Sequence, residues 1–377
     1  MISTVWIFNV ILTFSITVIA IYLLQYPARY WGWVDEPDQR KHHQGAVPLI
    51  GGVAMFIALA TTIPTLASSF EPCIGLLAGM LVVVVTGVYD DFHESKASTR
   101  FVAQITATLL FVFYDGVALE TLGNLLSQGE IKLHFWSIPF TLFCVVGVIN
   151  AINMSDGLDG LAGGFGIVAT LWLIVALSLS SQHMLELLEL SVLLLLAATL
   201  SGFLCFNLRY PWHHRATVFM GDAGSMMIGL MLAWFFIRLS QGEQPVFAPI
   251  SAVWIFALPL MDTVFLMTHR MLNRRSPFEP DRQHLHHLLL RIGFSEASTT
   301  AVLLIISVVL GAIGVLGGYW AIPDSVLFYG FIGLFALYSL AMNWAWQKLA
   351  GVENDKKKPI AEKNHCGSAA STHVPRL

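Results

Sequence analysis

The strongest constraint in this chain is a series of apolar runs, each about 17–25 residues long, the length a helix needs to cross a bilayer. They fall near 4–24, 47–66, 73–89, 101–115, 137–153, 161–180, 184–205, 223–240, 248–268, 299–320 and 325–346. A soluble core would show short strands and amphipathic periods in place of runs that are apolar on every side. Of the 377 residues, 56% are hydrophobic and 12% charged, about half the charged share of a soluble domain. The expected fold is an all-α polytopic membrane protein with about eleven transmembrane helices. The first run follows no basic residue, exceeds a signal peptide's apolar stretch and meets no small-residue cleavage site, so it reads as a retained span. Cys73, Cys144, Cys205 and Cys366 have neither paired nor metal-type spacing.

Lys and Arg set the orientation, because segments rich in them stay inside. With the N-terminus outside, 18 of the 20 Lys and Arg residues fall on inner segments, and only Lys132 and Arg238 fall outside. The expected topology is therefore N-out, C-in. Residues 1–351 read as the transmembrane domain and 352–377 as a flexible cytoplasmic tail by composition. Around Glu130-Ile-Lys-Leu-His-Phe the alternation of polar and apolar residues predicts a small β-hairpin on the outer surface. The unusual polar residues collect in the inner loops, whereas a transporter would be expected to place them near the midplane.

Five inner segments carry chemistry. Pro48-Leu-Ile-Gly51-Gly52 permits close backbone approach, to another helix or to a ligand. Asp90-Asp91 ends an apolar run; adjacent carboxylates at a helix C-terminus oppose the dipole and repel each other unless a cation compensates. Arg100 lies near enough in sequence to face them. Asn153, Asp156 and Asp159 recur every three residues among glycines. On a continued helical turn they would share one face and offer hard oxygen ligands to a divalent cation that keeps waters and substrate phosphates. Asp222, between Gly221 and Gly224, stands at a helix start, where an N-cap and a phosphate or metal site are both served. Near the end, Arg282 precedes His284-Leu-His286-His287. In a helical reading His286 points away from the other two, which argues against a tetrahedral zinc site and for hydrogen bonds to phosphate.

Together these segments, in this order on one membrane face, resemble the polyprenyl-phosphate N-acetylhexosamine-1-phosphate transferase family. Each motif alone is weak, and five in series are specific. The His-Leu-His-His form and the span count are closer to the branch that moves GlcNAc-1-phosphate than to a sister branch with three consecutive histidines. The resemblance implies transfer of GlcNAc-1-phosphate from UDP-GlcNAc to undecaprenyl phosphate at the inner face of a bacterial inner membrane, releasing UMP. That would be the first step of a lipid-linked surface polysaccharide such as O-antigen; another UDP-N-acetylhexosamine is the alternative donor. It implies Mg²⁺, with Mn²⁺ as substitute, held by Asp222 and Asn153. It gives Asp90, with Asp91, the task of deprotonating or positioning the lipid phosphate. Asp156 and Asp159 would shape the nucleotide site, Phe219 would stack on uracil, and Arg100 would contact the diphosphate. Arg282, His284, His286 and His287 would hold the sugar-phosphate. Membrane lipids and a second copy in a homodimer are implied partners; nucleic acid is not. One departure stands out: Trp212 occupies the place, seven residues before Phe219, where the sister branch has Asn. A cation-coupled transporter and a lipid scramblase or receptor are the competing classes.

Overall fold

The computed structural model describes residues 2–36, 45–66, 73–93, 95–180, 187–276 and 283–367, the side chains of 2–5 and 350–367 excepted. The chain is mostly helical. Helices α1 (Ile2–Tyr30), α2 (Gly51–Thr62), α3 (Ile74–His93), α4 (Ala97–Tyr114), α5 (Ser137–Ser155), α6 (Leu161–Leu179) and α7 (Leu187–Asn207) form the first part. They are followed by α8 (Gly221–Arg238), α9 (Pro249–Ile255), α10 (Ala257–Leu272), α11 (Leu285–Arg291), α12 (Glu296–Tyr319) and α13 (Asp324–Gly367). Eight helices are long and apolar enough to cross a membrane, nine if the bent pair α9–α10 is one span. The two other expected spans correspond to α2, which is shorter, and to α8. Large apolar side chains stand exposed along α1, α12 and α13, among them Phe8, Ile11, Ile305 and Leu337. Water would not tolerate so extensive an apolar surface, and the chain is a multi-pass membrane protein.

Helix α8 is the central post, packed against α2, α3 and α5. All of its residues are buried except its two charged ones, Asp222 at the start and Arg238 at the end. Small residues let the neighbours in. A Cβ on Gly52 would lie 2.2 Å from the Gly224 nitrogen, and one on Gly87 would lie 2.3 Å from the Ala223 main chain. Backbone hydrogen bonds from Gly51 to the Phe219 carbonyl and from Gly52 to the Met220 carbonyl, at 3.0 and 2.9 Å, tie α2 to the entry of α8. The expected close approach at the paired glycines is thus helix against helix.

The α9–α10 pair bends by 83° at Phe256. Pro259 has no N–H for the Ile255 carbonyl and its ring crowds that turn, so the helix cannot continue straight. The expected outer hairpin is only partly formed. Leu122 donates to Ile131, Ile131 to Gly123 and Leu133 to Glu120, but the segment yields a single isolated bridge, Thr121 to Lys132. The one sheet among the described residues lies elsewhere, between α1 and α2: β1 (Val34–Asp35) pairs antiparallel with β2 (Val47–Pro48). Of the expected tail at 352–377, the backbone to Gly367 continues α13, and 368–377 lie outside the described residues.

Candidate active site

The C-terminal ends of α3 and α5 and the N-terminal ends of α4 and α8 meet at one end of the bundle. Asp90 and Asp91, adjacent in sequence, are compensated by different groups there. Asp91 reaches the first turn of α8, where its Oδ1 accepts the Asp222 N–H at 2.9 Å. No side chain of α8's own caps that helix, so a carboxylate from α3 takes the place of the N-cap and meets the positive end of the dipole. Gly221 makes room: its φ is +69°, and a Cβ there would lie 2.6 Å from Asp91 Oδ2. That second oxygen is buried without a hydrogen-bond partner.

Asp90 is buried and turns the other way. Its Oδ1 accepts the Ser95 N–H at 2.6 Å and its Oδ2 accepts Arg100 at 3.0 Å. The same Arg100 nitrogen reaches Asp222 Oδ2 at 3.4 Å. Asp222 Oδ1 accepts Asn153 Nδ2 at 2.5 Å, and Asn153 also donates to Ser225 at 2.9 Å. Four sequence-predicted residues from four helices therefore share one hydrogen-bonded cluster: Asp90, Arg100, Asn153 and Asp222. A guanidinium between two carboxylates partly neutralises them.

The expectation that Asn153, Asp156 and Asp159 share a helical face does not hold. Helix α5 ends at Ser155, and Asp156 is its C-cap with ψ +51°. The chain then turns through Gly160, at φ +78°, into α6. Asp156 is exposed on that turn, and the surrounding protein together with the like charges of Asp222, Asp159 and Asp35 pushes its carboxyl up to about 7. Asp159 is directed away from the cluster. Its Oδ2 accepts Arg209 Nε at 2.6 Å and the Ala216 N–H at 2.9 Å, while Arg209 also pairs with Glu296 at 2.5 Å. Asp159 so clamps the loops after α5 and α7 to α12. Asp159→Asn is expected to remove about 1–3 kcal/mol of stability, lowering the thermal midpoint in detergent more than it lowers turnover of the folded enzyme. An unchanged midpoint would overturn the clamp.

The histidines pack against the turn after α5. Contrary to the expectation that His286 points away, the three rings pack together: centroids lie 5.2 Å apart for His284–His286, 4.2 Å for His286–His287 and 6.2 Å for His284–His287. The motif is only partly helical, since His284 is the extended N-cap of α11. His286 is buried, and its Nε2 lies 2.8 Å from where a Gly157 Cβ would be, so it packs on the turn beside Asp156. Burial and the neighbouring His287 and His284 push its pKa down to about 3. Arg282 lies outside the described residues. Phe219 is half-buried, its main chain bonded to Pro48 and Gly51. Trp212 is 83% exposed.

Among the described residues no three His, Cys, Asp or Glu side chains form a cage able to hold a metal alone. The orphaned buried Asp91 oxygen and the excess of carboxylates around Asp222 nevertheless fit a hard cation that completes its shell with water and substrate phosphate. A cavity of about 440 Å³ lies at the opposite end of the bundle, beside Ser127, Phe247 and Tyr319, and includes none of these residues.

A family model described as glycosyl transferase family 4 matches residues 73–240, the stretch that contributes Asp90, Asp91, Arg100, Asn153 and Asp222. The chain is also 31% identical to an Escherichia coli K12 undecaprenyl-phosphate alpha-N-acetylglucosaminyl 1-phosphate transferase, covering 93% of this chain and 94% of that protein. Proteins of the same name from Yersinia pestis and Haemophilus influenzae are 34% and 30% identical, over 87% and 93% of this chain and 88% and 98% of theirs. The chain belongs to glycosyl transferase family 4. This family 4 member is a transferase. Three side chains that were not expected as site residues hold polar groups here, only the first of them in the cluster. Ser225 holds Asn153, Arg209 holds Asp159, and Tyr338 bonds Asp262. Only Asp262, a carboxylate inside an apolar run, left a signal in the sequence.

Proposed function

We propose that the chain transfers GlcNAc-1-phosphate from UDP-GlcNAc to undecaprenyl phosphate, with Mg²⁺, at the cytoplasmic face of a bacterial inner membrane. The observation that carries this reading is the shared cluster of Asp90, Arg100, Asn153 and Asp222, with the orphaned Asp91 oxygen beside it. The names borne by its relatives support the lipid and the sugar. The proposed topology has eleven spans, made of the eight long helices, the bent pair, α2 and α8, with the N-terminus outside and residues 352–377 as a cytoplasmic tail. The Lys and Arg distribution supports it.

An oxygen of the lipid phosphate would attack the β-phosphorus of the nucleotide sugar. The new P–O bond forms as the bond to the α-phosphate oxygen breaks, and UMP leaves with that electron pair. One phosphoanhydride replaces another, so catalysis rests on positioning and charge neutralisation. Asp222, Asp91 and Asn153 would hold Mg²⁺, whose Lewis acidity neutralises diphosphate charge when bound. Arg100, held by Asp90 at 3.0 Å, would turn its remaining N–H donors to phosphate oxygens. A phosphate monoester has a second pKa of about 6, so the lipid phosphate is mostly dianionic at cytoplasmic pH. Asp90, already bonded to Ser95 and Arg100, serves to seat Arg100 more than to take a proton. Phe219 would stack on the uracil.

The test is UMP release from UDP-GlcNAc in detergent with polyprenyl phosphate, with Mg²⁺ and with EDTA. Release that needs both the lipid and the metal is the expected result. No UMP under any condition would end this reading, and a panel of UDP-sugars would separate GlcNAc from other N-acetylhexosamines. A surface polysaccharide such as O-antigen is the proposed destination of the product.

A further inference from the structure

Helix α13 crosses behind the histidine helix and presents Tyr338, Met342 and Trp346 at four-residue intervals. Met342 joins Phe265, Leu266 and Leu288 in a separate apolar core that packs α10, α11 and α13 together. Trp346 Nε1 donates to the Gln283 carbonyl at 3.1 Å. Inside this packing sits a carboxylate. Asp262, only 9% exposed, accepts the Tyr338 hydroxyl at 2.7 Å and the Leu285 N–H at 3.0 Å through Oδ1. Its Oδ2 lies 2.8 Å from His284 Nδ1.

Burying a carboxylate at the edge of a span is costly, and the apolar core already joins these helices. What the carboxylate adds is direction. An ionised Asp only accepts, so His284 Nδ1 donates to it, and Nε2 is left as the nitrogen that donates to a phosphate oxygen when the ring is protonated. The ring is held a second time from its face, where it stacks on His286 at 17° between planes. His286 in turn rests on Gly157, next to Asp156. A continuous run of contacts therefore leads from Tyr338 through Asp262, His284 and His286 to the Asp156–Gly157 turn.

We propose that Asp262, seated by Tyr338, is a positioning residue of the transfer, which acts through His284 to present His284 Nε2 to the substrate phosphates. This rests on the reading of the histidine motif as part of the active site. Partners that orient a working imidazole are commonly worth about 10- to 100-fold in activity.

The test is a double-mutant cycle, with sugar-phosphate transfer followed by radiolabel so that slow variants remain measurable. Asp262→Asn reverses the hydrogen bond to Nδ1 and should lower kcat about 10- to 100-fold. On a His284→Gln background the same change should alter the rate by no more than about twofold, since the residue it acts through is gone. Equal losses on both backgrounds, or an Asp262→Asn enzyme at the wild-type rate, would overturn the proposal. A His284→Gln enzyme at the wild-type rate would instead remove the histidine motif from the site, a failure of the underlying reading that is distinguishable from the first. If Asp262→Asn does not fold, Tyr338→Phe replaces it in the cycle. That variant keeps the ring against Phe265 and removes one hydroxyl, so a smaller loss that vanishes on the His284→Gln background is expected, and an additive one overturns the proposal.

Discussion

Asp222→Asn should lower turnover by about 10³-fold, the scale set by removing a preorganised charge from a water-poor reacting site. The substitution is nearly isosteric, and the architecture around it has reasons to survive. Asp91 caps α8 through the main-chain N–H of residue 222, which the change does not touch. An amide oxygen can still accept from Asn153, and Arg100 keeps Asp90 as a partner. What disappears is the negative charge that faces Arg100 and that, in the proposed mechanism, would hold the metal. The expected result is therefore a folded protein with a thermal midpoint close to wild type and almost no UMP release. Near-normal turnover in this variant would refute the metal role of Asp222.

The second large effect is steric. Gly87→Ala puts a methyl group 2.3 Å from the main chain of Ala223, and Gly52→Ala puts one 2.2 Å from that of Gly224. The obstacle in both cases is backbone, which cannot rotate aside. Overpacking of this kind typically costs about 1–3 kcal/mol, and the displaced helix is the one that carries Asp222. Each variant should lower the thermal midpoint in detergent and turnover together. Gly147→Ala on α5, where a Cβ meets nothing within 4 Å, is the control and should change neither. A Gly87→Ala enzyme with wild-type midpoint and turnover would show that α3 and α8 are not packed as described.

The two aspartates of α3 show where sequence reasoning stopped. Adjacent carboxylates at a helix end announce that something must compensate them. That Asp90 is bonded to Ser95 and Arg100 while Asp91 caps α8 depends on a helix that begins about 130 residues later. The three-residue spacing of Asn153, Asp156 and Asp159 misled for a related reason. Periodicity assumes that the helix continues, and α5 ends at Ser155, sending Asp159 to Arg209 instead of to the cluster. The histidines were misjudged because the extended N-cap of α11, held against α13, bends the motif so that the three rings pack together.

By itself, the sequence determined that the chain is helical and membrane-embedded, because bilayer thickness and the cost of exposing backbone leave long apolar runs no other fold. It also brought Asp90, Arg100, Asn153 and Asp222 to notice, since charged and amide residues at the ends of apolar runs need a reason to be there. Tertiary structure alone decided which carboxylates share a partner. Partners are set by contact across helices far apart in the chain, and the glycine seam along α8 brings those contacts within hydrogen-bonding distance.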